Sequence, residues 1–165
     1  MDELLESLTM QNFADQFEIL VIEDGSTEKS DLIVKKYQQQ LDVNYFFKEK
    51  SGAGASRNFG MKNASGNYFI ILDSDVIVPS QYLTEVKKAL ENNFTDAFGG
   101  PDAAHHSFTK LQKAINYSMT SFLTTGGVRG NKQALVKFQP SLNNFFLQQL
   151  FLSYKNDTLP LLNHP

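Results

Sequence analysis

Ile70-Ile71-Leu72-Asp73-Ser74-Asp75 sets a short apolar run directly against two carboxylates spaced i, i+2. On an extended backbone, residues two apart project to the same side, so Asp73 and Asp75 are expected to leave the mouth of a buried strand together. Two carboxylates held that close repel each other unless a cation lies between them. Hard oxygen donors suit Mg²⁺ or Mn²⁺, which keep some of their waters and bridge to phosphate groups. The same residues also read as an ordinary strand-end turn, because Asp and Ser are frequent turn formers. The flanking sequence has to choose between the two.

Working outward, strand-like and helix-like segments alternate. Asp2 to Phe13 places Leu4, Leu5 and Leu8 at helical spacing behind an acidic first turn. Phe17 to Ile22 is a β-branched strand feeding the turn Glu23-Asp24-Gly25-Ser26-Thr27. Lys29 to Leu41 reads as a helix, Val43 to Phe47 as a strand, and Gly52-Ala53-Gly54 opens a helix whose C-cap is expected at Gly66. Tyr68 to Leu72 is the next strand, and Pro79-Ser80 introduces a helix with the stripe Leu83, Val86 and Leu90. Asp96 to Gly100 is read as a further strand. Phe108, Leu111, Ile115, Met119 and Phe122 recur at helical spacing, as core or as a docking face. Alternation of this kind predicts an α/β fold, a mostly parallel sheet with helices on both faces. Ligands of such sheets bind beyond the carboxyl ends of the strands, where Glu23-Asp24 and Asp73-Ser74-Asp75 are expected to share one edge.

The bulk numbers narrow the function classes. At 165 residues with 41% hydrophobic content, the chain is sized for about one domain with a real core. A net charge of -3 gives no electrostatic sign of a nucleic-acid partner. With no cysteine there is neither a disulfide nor a thiolate metal site. No run approaches the roughly 18 apolar residues of a membrane span, and the acidic Met1-Asp2-Glu3 start lacks the basic region of a signal peptide. The expected location is the cytoplasm, or the inner face of the membrane.

Three blocks then stand in order. Glu23-Asp24-Gly25-Ser26-Thr27 resembles an acidic D-D-G-S-T turn. Gly52-Ala53-Gly54-Ala55-Ser56-Arg57-Asn58-Phe59-Gly60 is similar to a glycine-rich helix start ending in A-R-N-x-G, with Ser56 in place of the common Ala. Ala64 to Asp75 is similar to A-x-G-x-[YF]-[IV]-x-[FIL]-L-D-x-D. Each is weak alone, but the set resembles the family 2 glycosyltransferases from about Leu4 to Gly130. The resemblance implies a GT-A (Rossmann-like) fold, a nucleotide-diphosphate-sugar donor, and inverting transfer to an acceptor hydroxyl of a glycan, a lipid-linked molecule or a protein. By position it implies that Asp24 contacts the base or ribose, with Glu23 supporting that turn, and that Arg57 helps hold the nucleotide. Asp75 would ligate Mg²⁺ or Mn²⁺, and Asp73 would contact ribose or metal-bound water. Asp102, in Gly99-Gly100-Pro101-Asp102, and Arg129, in Gly126-Gly127-Val128-Arg129-Gly130, would lie toward the acceptor. His105-His106 is better read as an exposed loop than as a metal pair.

Two departures qualify the resemblance. The chain starts at the helix that should follow the family's first strand, and nothing between Ser141 and Pro165 aligns with the segment that carries the family's acidic general base. Asp157 has nothing to position it as a replacement. The expected division is a partial donor-binding domain over residues 1–140 and a divergent or aberrant tail over residues 141–165, packed on the same domain or unpacked. The composition shift near Pro140 reads as truncation or a frame shift, with a divergent amphipathic tail as the alternative. A missing first strand would expose a sheet edge suited to self-association. The competing functions are an inactive remnant that binds nucleotide or a protein partner, and a receiver-like α/β domain; the latter has no use for the Arg-Asn helix or the D-x-D block.

Overall fold

Burial of the strand Phe17–Asp24 (β1) organizes the structure: from Ile19 onward every residue is buried, the two carboxylates at its end included. Only a strand covered on both faces and paired on both sides shows such a run. The computed structural model describes residues 1–66, 68–94, 109–121 and 148–154. Its described elements are α1 (Asp2–Thr9), β1, α2 (Asp31–Tyr37), β2 (Val43–Lys48), α3 (Ala53–Asn63), β3 (Tyr68–Asp73), α4 (Tyr82–Asn92), α5 (Lys110–Thr120) and β4 (Gln148–Tyr154). They fall into two units, Met1–Phe94 with Asn143–Pro165, and Thr95–Leu142.

In the first unit the sheet order is β2-β1-β4-β3. β1 and β2 are parallel, Asp24 standing opposite Lys48. β4 runs antiparallel to both β1 and β3, so β1, β2 and β3 share one direction and their carboxyl ends lie along one sheet edge. Strand alternation divides the core. Ile19 and Val21 face Leu4, Leu5, Leu8, Val34, Val43, Val78 and Leu83, the cluster of α1, α2 and α4. Leu20 and Ile22 face Phe46, Phe59 and Met61 on the α3 side. Helices on both faces of an α/β sheet are what the alternating sequence predicts.

The structure departs from the sequence reading in several places. Within the stretch read as a divergent or aberrant tail, packed on the same domain or unpacked, Gln148–Tyr154 form β4, an interior strand. β1 pairs with β2 on one side and β4 on the other, so the outer strands of the described sheet are β2 and β3. α2 is shorter than expected, beginning at Asp31 after the Ser30 N-cap. α3 ends at Asn63, in the region where the sequence places its end, but its C-cap is Ala64, whose N–H bonds the Gly60 carbonyl, and not Gly66. The expected strand Asp96–Gly100 lies outside the described residues.

α1 reaches beyond its own packing. The Ser7 hydroxyl accepts from the Val78 N–H at 3.2 Å. The Gln11 side chain donates to the Pro79 carbonyl at 2.8 Å and accepts from the Leu83 N–H at 3.2 Å. Helix α1 and the residues just after it thereby strap down the segment that follows Asp73-Ser74-Asp75. In the second unit, α5 begins with a capping box, Gln112 N–H to the Thr109 hydroxyl and Thr109 N–H to the Gln112 side chain. Leu111, Ile115 and Tyr117 on that helix are exposed.

Leu5 is fully buried beneath this strap. Leu5→Ala is expected to cost about 2–5 kcal/mol in urea denaturation and to speed amide exchange at Val76 and Val78; unchanged exchange there would mean that α1 does not hold the segment.

Candidate functional site

Alternation at the end of β1 sends its two carboxylates to opposite faces. Glu23 turns toward α2 and is fully buried. Its Oε2 accepts from the Ser30 N–H at 2.9 Å and from the Tyr45 hydroxyl at 2.7 Å. Its Oε1 has no hydrogen-bond partner among the described residues. Burial, the bond to Glu23 and the Glu23 charge push the Tyr45 pKa above its ordinary 10.0, which keeps that hydroxyl a donor. Glu23 therefore anchors the loop between β1 and α2.

Asp24 turns toward α3 and is 2% exposed. Its carboxylate accepts from the Lys48 ammonium, from the Ser51 N–H at 2.8 Å, from the Gly52 N–H at 2.7 Å, and more weakly from the Ser51 hydroxyl at 3.4 Å. Three of these donors converge on Oδ1 and the Gly52 N–H alone meets Oδ2, so both oxygens are engaged from within the chain. Burial alone would raise its pKa. The Lys48 hydrogen bond, the two amides and the Lys48 charge outweigh that and hold it below the ordinary 3.8.

Two glycines make this closure sterically feasible. Gly25 has φ +70°, and a Cβ there would stand 2.8 Å from the Lys50 Cβ and 2.9 Å from the Lys50 nitrogen. Gly52, the N-cap of α3, has φ +91°. Side chains at either position would be strained. Arg57 lies one turn into α3 with an exposed side chain.

At the end of β3 the situation is reversed. Asp73 and Asp75 are both exposed. β3 ends at Asp73, and Ser74-Asp75 form a turn in which the Val76 N–H meets the Asp73 carbonyl at 3.3 Å. The same-side rule for strands thus stops at Asp73 and does not carry Asp75. Asp73 and Ile22 both stand opposite Gln149, and Glu23 stands opposite Gln148. β4 therefore separates the two acidic ends by two strand spacings, about 10 Å. Among the described residues no group of three or more His, Cys, Asp or Glu is arranged to hold a metal. Two exposed carboxylates fit a divalent cation that completes its shell with water and substrate oxygens. A hollow of about 510 Å³ lies at the opposite end of β1, against Gln16, Glu18, Asp42 and Ser65, and none of the sequence-predicted residues lines it.

The sheet edge thus brings together Glu23, Asp24, Asp73 and Asp75, with Arg57 on the helix that starts beside Asp24. Asp102, Arg129, His105, His106 and Asp157 lie outside the described residues. Sequence reading missed Lys48, Ser51, Ser56 and Tyr45. Lys48 follows the run read as a strand, and only the parallel register that puts it opposite Asp24 reveals its partner.

A family model described as glycosyl transferase family 2 matches residues 1–154, including the stretch beyond Ser141 that the motifs leave unaligned. An uncharacterized glycosyltransferase of Rickettsia felis is 34% identical over 116 residues, 70% of this chain and 18% of its own length. The poly(ribitol-phosphate) beta-N-acetylglucosaminyltransferase TarS of Staphylococcus aureus is 32% identical over 97 residues, 57% of this chain and 17% of its own. Glycosyltransferase GlyA of Streptococcus pneumoniae is 36% identical over 110 residues, 66% of this chain and 15% of its own. The chain spans less than a fifth of the length of each of these relatives. No solved structure matches it.

Because Asp24 binds its proton more weakly folded than unfolded, its contacts stabilise fully above its unfolded pKa of 3.8, and that stability is lost as the pH falls through the lower folded value. Urea midpoints followed from about pH 5 down to pH 2 are expected to show this acid limb in the wild type and a reduced one in Asp24→Asn. Tyr45→Phe leaves the buried Glu23 with one donor fewer and is expected to cost about 1–3 kcal/mol in the same assay.

Proposed function

From a chain that belongs to glycosyl transferase family 2, we propose that the carboxyl edge of the sheet is the donor half of a glycosyltransferase site, taking a nucleotide-diphosphate sugar with Mg²⁺ or Mn²⁺. The observation that carries this reading is the contrast between the two acidic strand ends. Glu23 and Asp24 are buried and bonded within the chain, whereas Asp73 and Asp75 stand exposed at the same edge. Solvent-exposed carboxylates at the carboxyl end of a strand of an α/β sheet are accessible to a ligand there.

Each residue has a role in this reading. Asp73 and Asp75 hold the divalent cation, which when bound stabilises the negative charge developing on the departing diphosphate. Arg57 supplies a fixed positive fork for a phosphate or carboxylate oxygen. Asp24 and Glu23 shape the turn against which the base and ribose lie; with both its oxygens engaged within the chain, Asp24 works chiefly by holding backbone. The roughly 10 Å between the two acidic ends suits a nucleoside diphosphate laid from ribose to pyrophosphate across β4. Transfer would proceed by attack of an acceptor hydroxyl on the anomeric carbon with inversion. The hydroxyl's proton would pass to a base that no described residue provides. Among the described residues no helix is long and apolar enough to cross a membrane.

Calorimetric titration of UDP and GDP with Mn²⁺ tests the reading. Metal-dependent binding is expected in the wild type, and Asp75→Ala should weaken it by about ten-fold or more. Release of nucleoside diphosphate from labelled nucleotide sugars would mark turnover, while binding without release would favour a nucleotide-binding remnant. Absence of metal-dependent binding by the folded chain would overturn the assignment of Asp73 and Asp75.

A further inference from the structure

Lys48 is not accounted for by the donor site as described, yet its ammonium has four polar contacts. It follows Phe47 at the end of β2, directly opposite Asp24. Its ammonium contacts the Asp24 carboxylate and the Ser51 hydroxyl, the Glu49 carbonyl at 3.1 Å and the Ser56 hydroxyl at 3.4 Å. An ammonium has three protons, so four acceptors compete for them. The partners come from three places, the end of β1, the loop after β2 and the first turn of α3, and Lys48 touches all three. Its side chain is 16% exposed and that of Asp24 is 2% exposed.

Ion pairs this far from water add little net stability, because desolvation offsets the Coulomb attraction. Their more durable effect is to fix one geometry. Here the geometry fixed is the spacing between the Glu23-Asp24-Gly25 turn and the Ser51-Gly52 backbone that leads into α3. Gly25 already lies at contact distance from Lys50, so a small displacement of the loop moves the turn and the start of the helix apart. Arg57 rides on that helix.

We propose that Lys48 is a positioning residue of the donor site: by tying Asp24 to the start of α3 it sets the distance between the nucleotide turn and the helix that bears Arg57. The inference rests on the donor-site reading given above. Lys48 touches neither the nucleotide nor the metal, and acts through Asp24, Ser51 and Ser56.

Lys48→Gln and Lys48→Arg test it by affinity for UDP and GDP with Mg²⁺, with thermal midpoints in parallel. Losing a hydrogen-bonded charge at the node is expected to weaken nucleotide binding roughly ten- to a hundred-fold in Lys48→Gln. Lys48→Arg, which restores the cation but not the compact ammonium, should recover part of the loss, and affinity should not follow the midpoint. In the wild type, nucleotide should also shift the Ser51 and Gly52 amide resonances, a readout that needs no variant to fold. Wild-type binding with unchanged affinity in Lys48→Gln, or with silent Ser51 and Gly52 amides, overturns the role of Lys48 alone. A wild type that binds neither nucleotide overturns the donor-site reading and this inference with it.

Discussion

Asp24 sits where the buried central strand stops, and its carboxylate receives the Lys48 ammonium together with the Ser51 and Gly52 amides. Burying a carboxylate without partners would cost more than a single domain's margin of stability can absorb. The chain meets the constraint by bringing three other pieces to it. β2 must end level with β1 so that Lys48 faces Asp24. The following loop must bend its amides inward, which requires Gly52 at φ +91°. The β1 turn must lie flush against that loop, which requires the bare Gly25 beside Lys50. One ionised group at the end of β1 thereby determines where α3 begins.

β4 settles the lateral dimension of the same edge. Because it stands between β1 and β3, the acidic ends cannot form one carboxylate cluster, and about two strand spacings separate them. Had β1 and β3 been neighbours, four acidic side chains would have crowded together and raised one another's pKa values. Separation lets the inner pair serve structure and leaves the outer pair exposed to solvent.

Much of this was legible in the sequence, for local reasons. The run Phe17 to Ile22 and the run Tyr68 to Leu72 declared strands by composition, and the glycine in Glu23-Asp24-Gly25 marked a turn that does need positive φ. The family followed from three local blocks. What escaped depends on long-range pairing. Nothing near Gln148-Gln149-Leu150-Phe151 indicates an antiparallel strand inserted between two parallel ones, since its partners, Phe17 to Glu23 and Tyr68 to Asp73, lie far away in the chain. Lys48 carried no signal of its own until the register set it against Asp24. The common projection expected of Asp73 and Asp75 rests on extended backbone, the strand ends at Asp73, and a side-chain rule for strands cannot be carried through the turn that follows.

The exposure of Asp73 and Asp75 also bears on the order in which ligands assemble. Two solvent-facing carboxylates on a turn make a weak site for Mg²⁺, which gives up its waters reluctantly and prefers a full octahedron. A diphosphate supplies further oxygens and negative charge, so metal and donor raise each other's affinity by the same factor. In the proposed donor site the cation would therefore, at low metal concentration, enter with the nucleotide rather than before it. The inner pair needs no such help: Glu23 and Asp24 take most of their partners from the chain itself, and the turn they define is in place before either ligand arrives. A preorganised turn beside a site that the substrate completes lets the donor's own phosphates decide whether the metal stays.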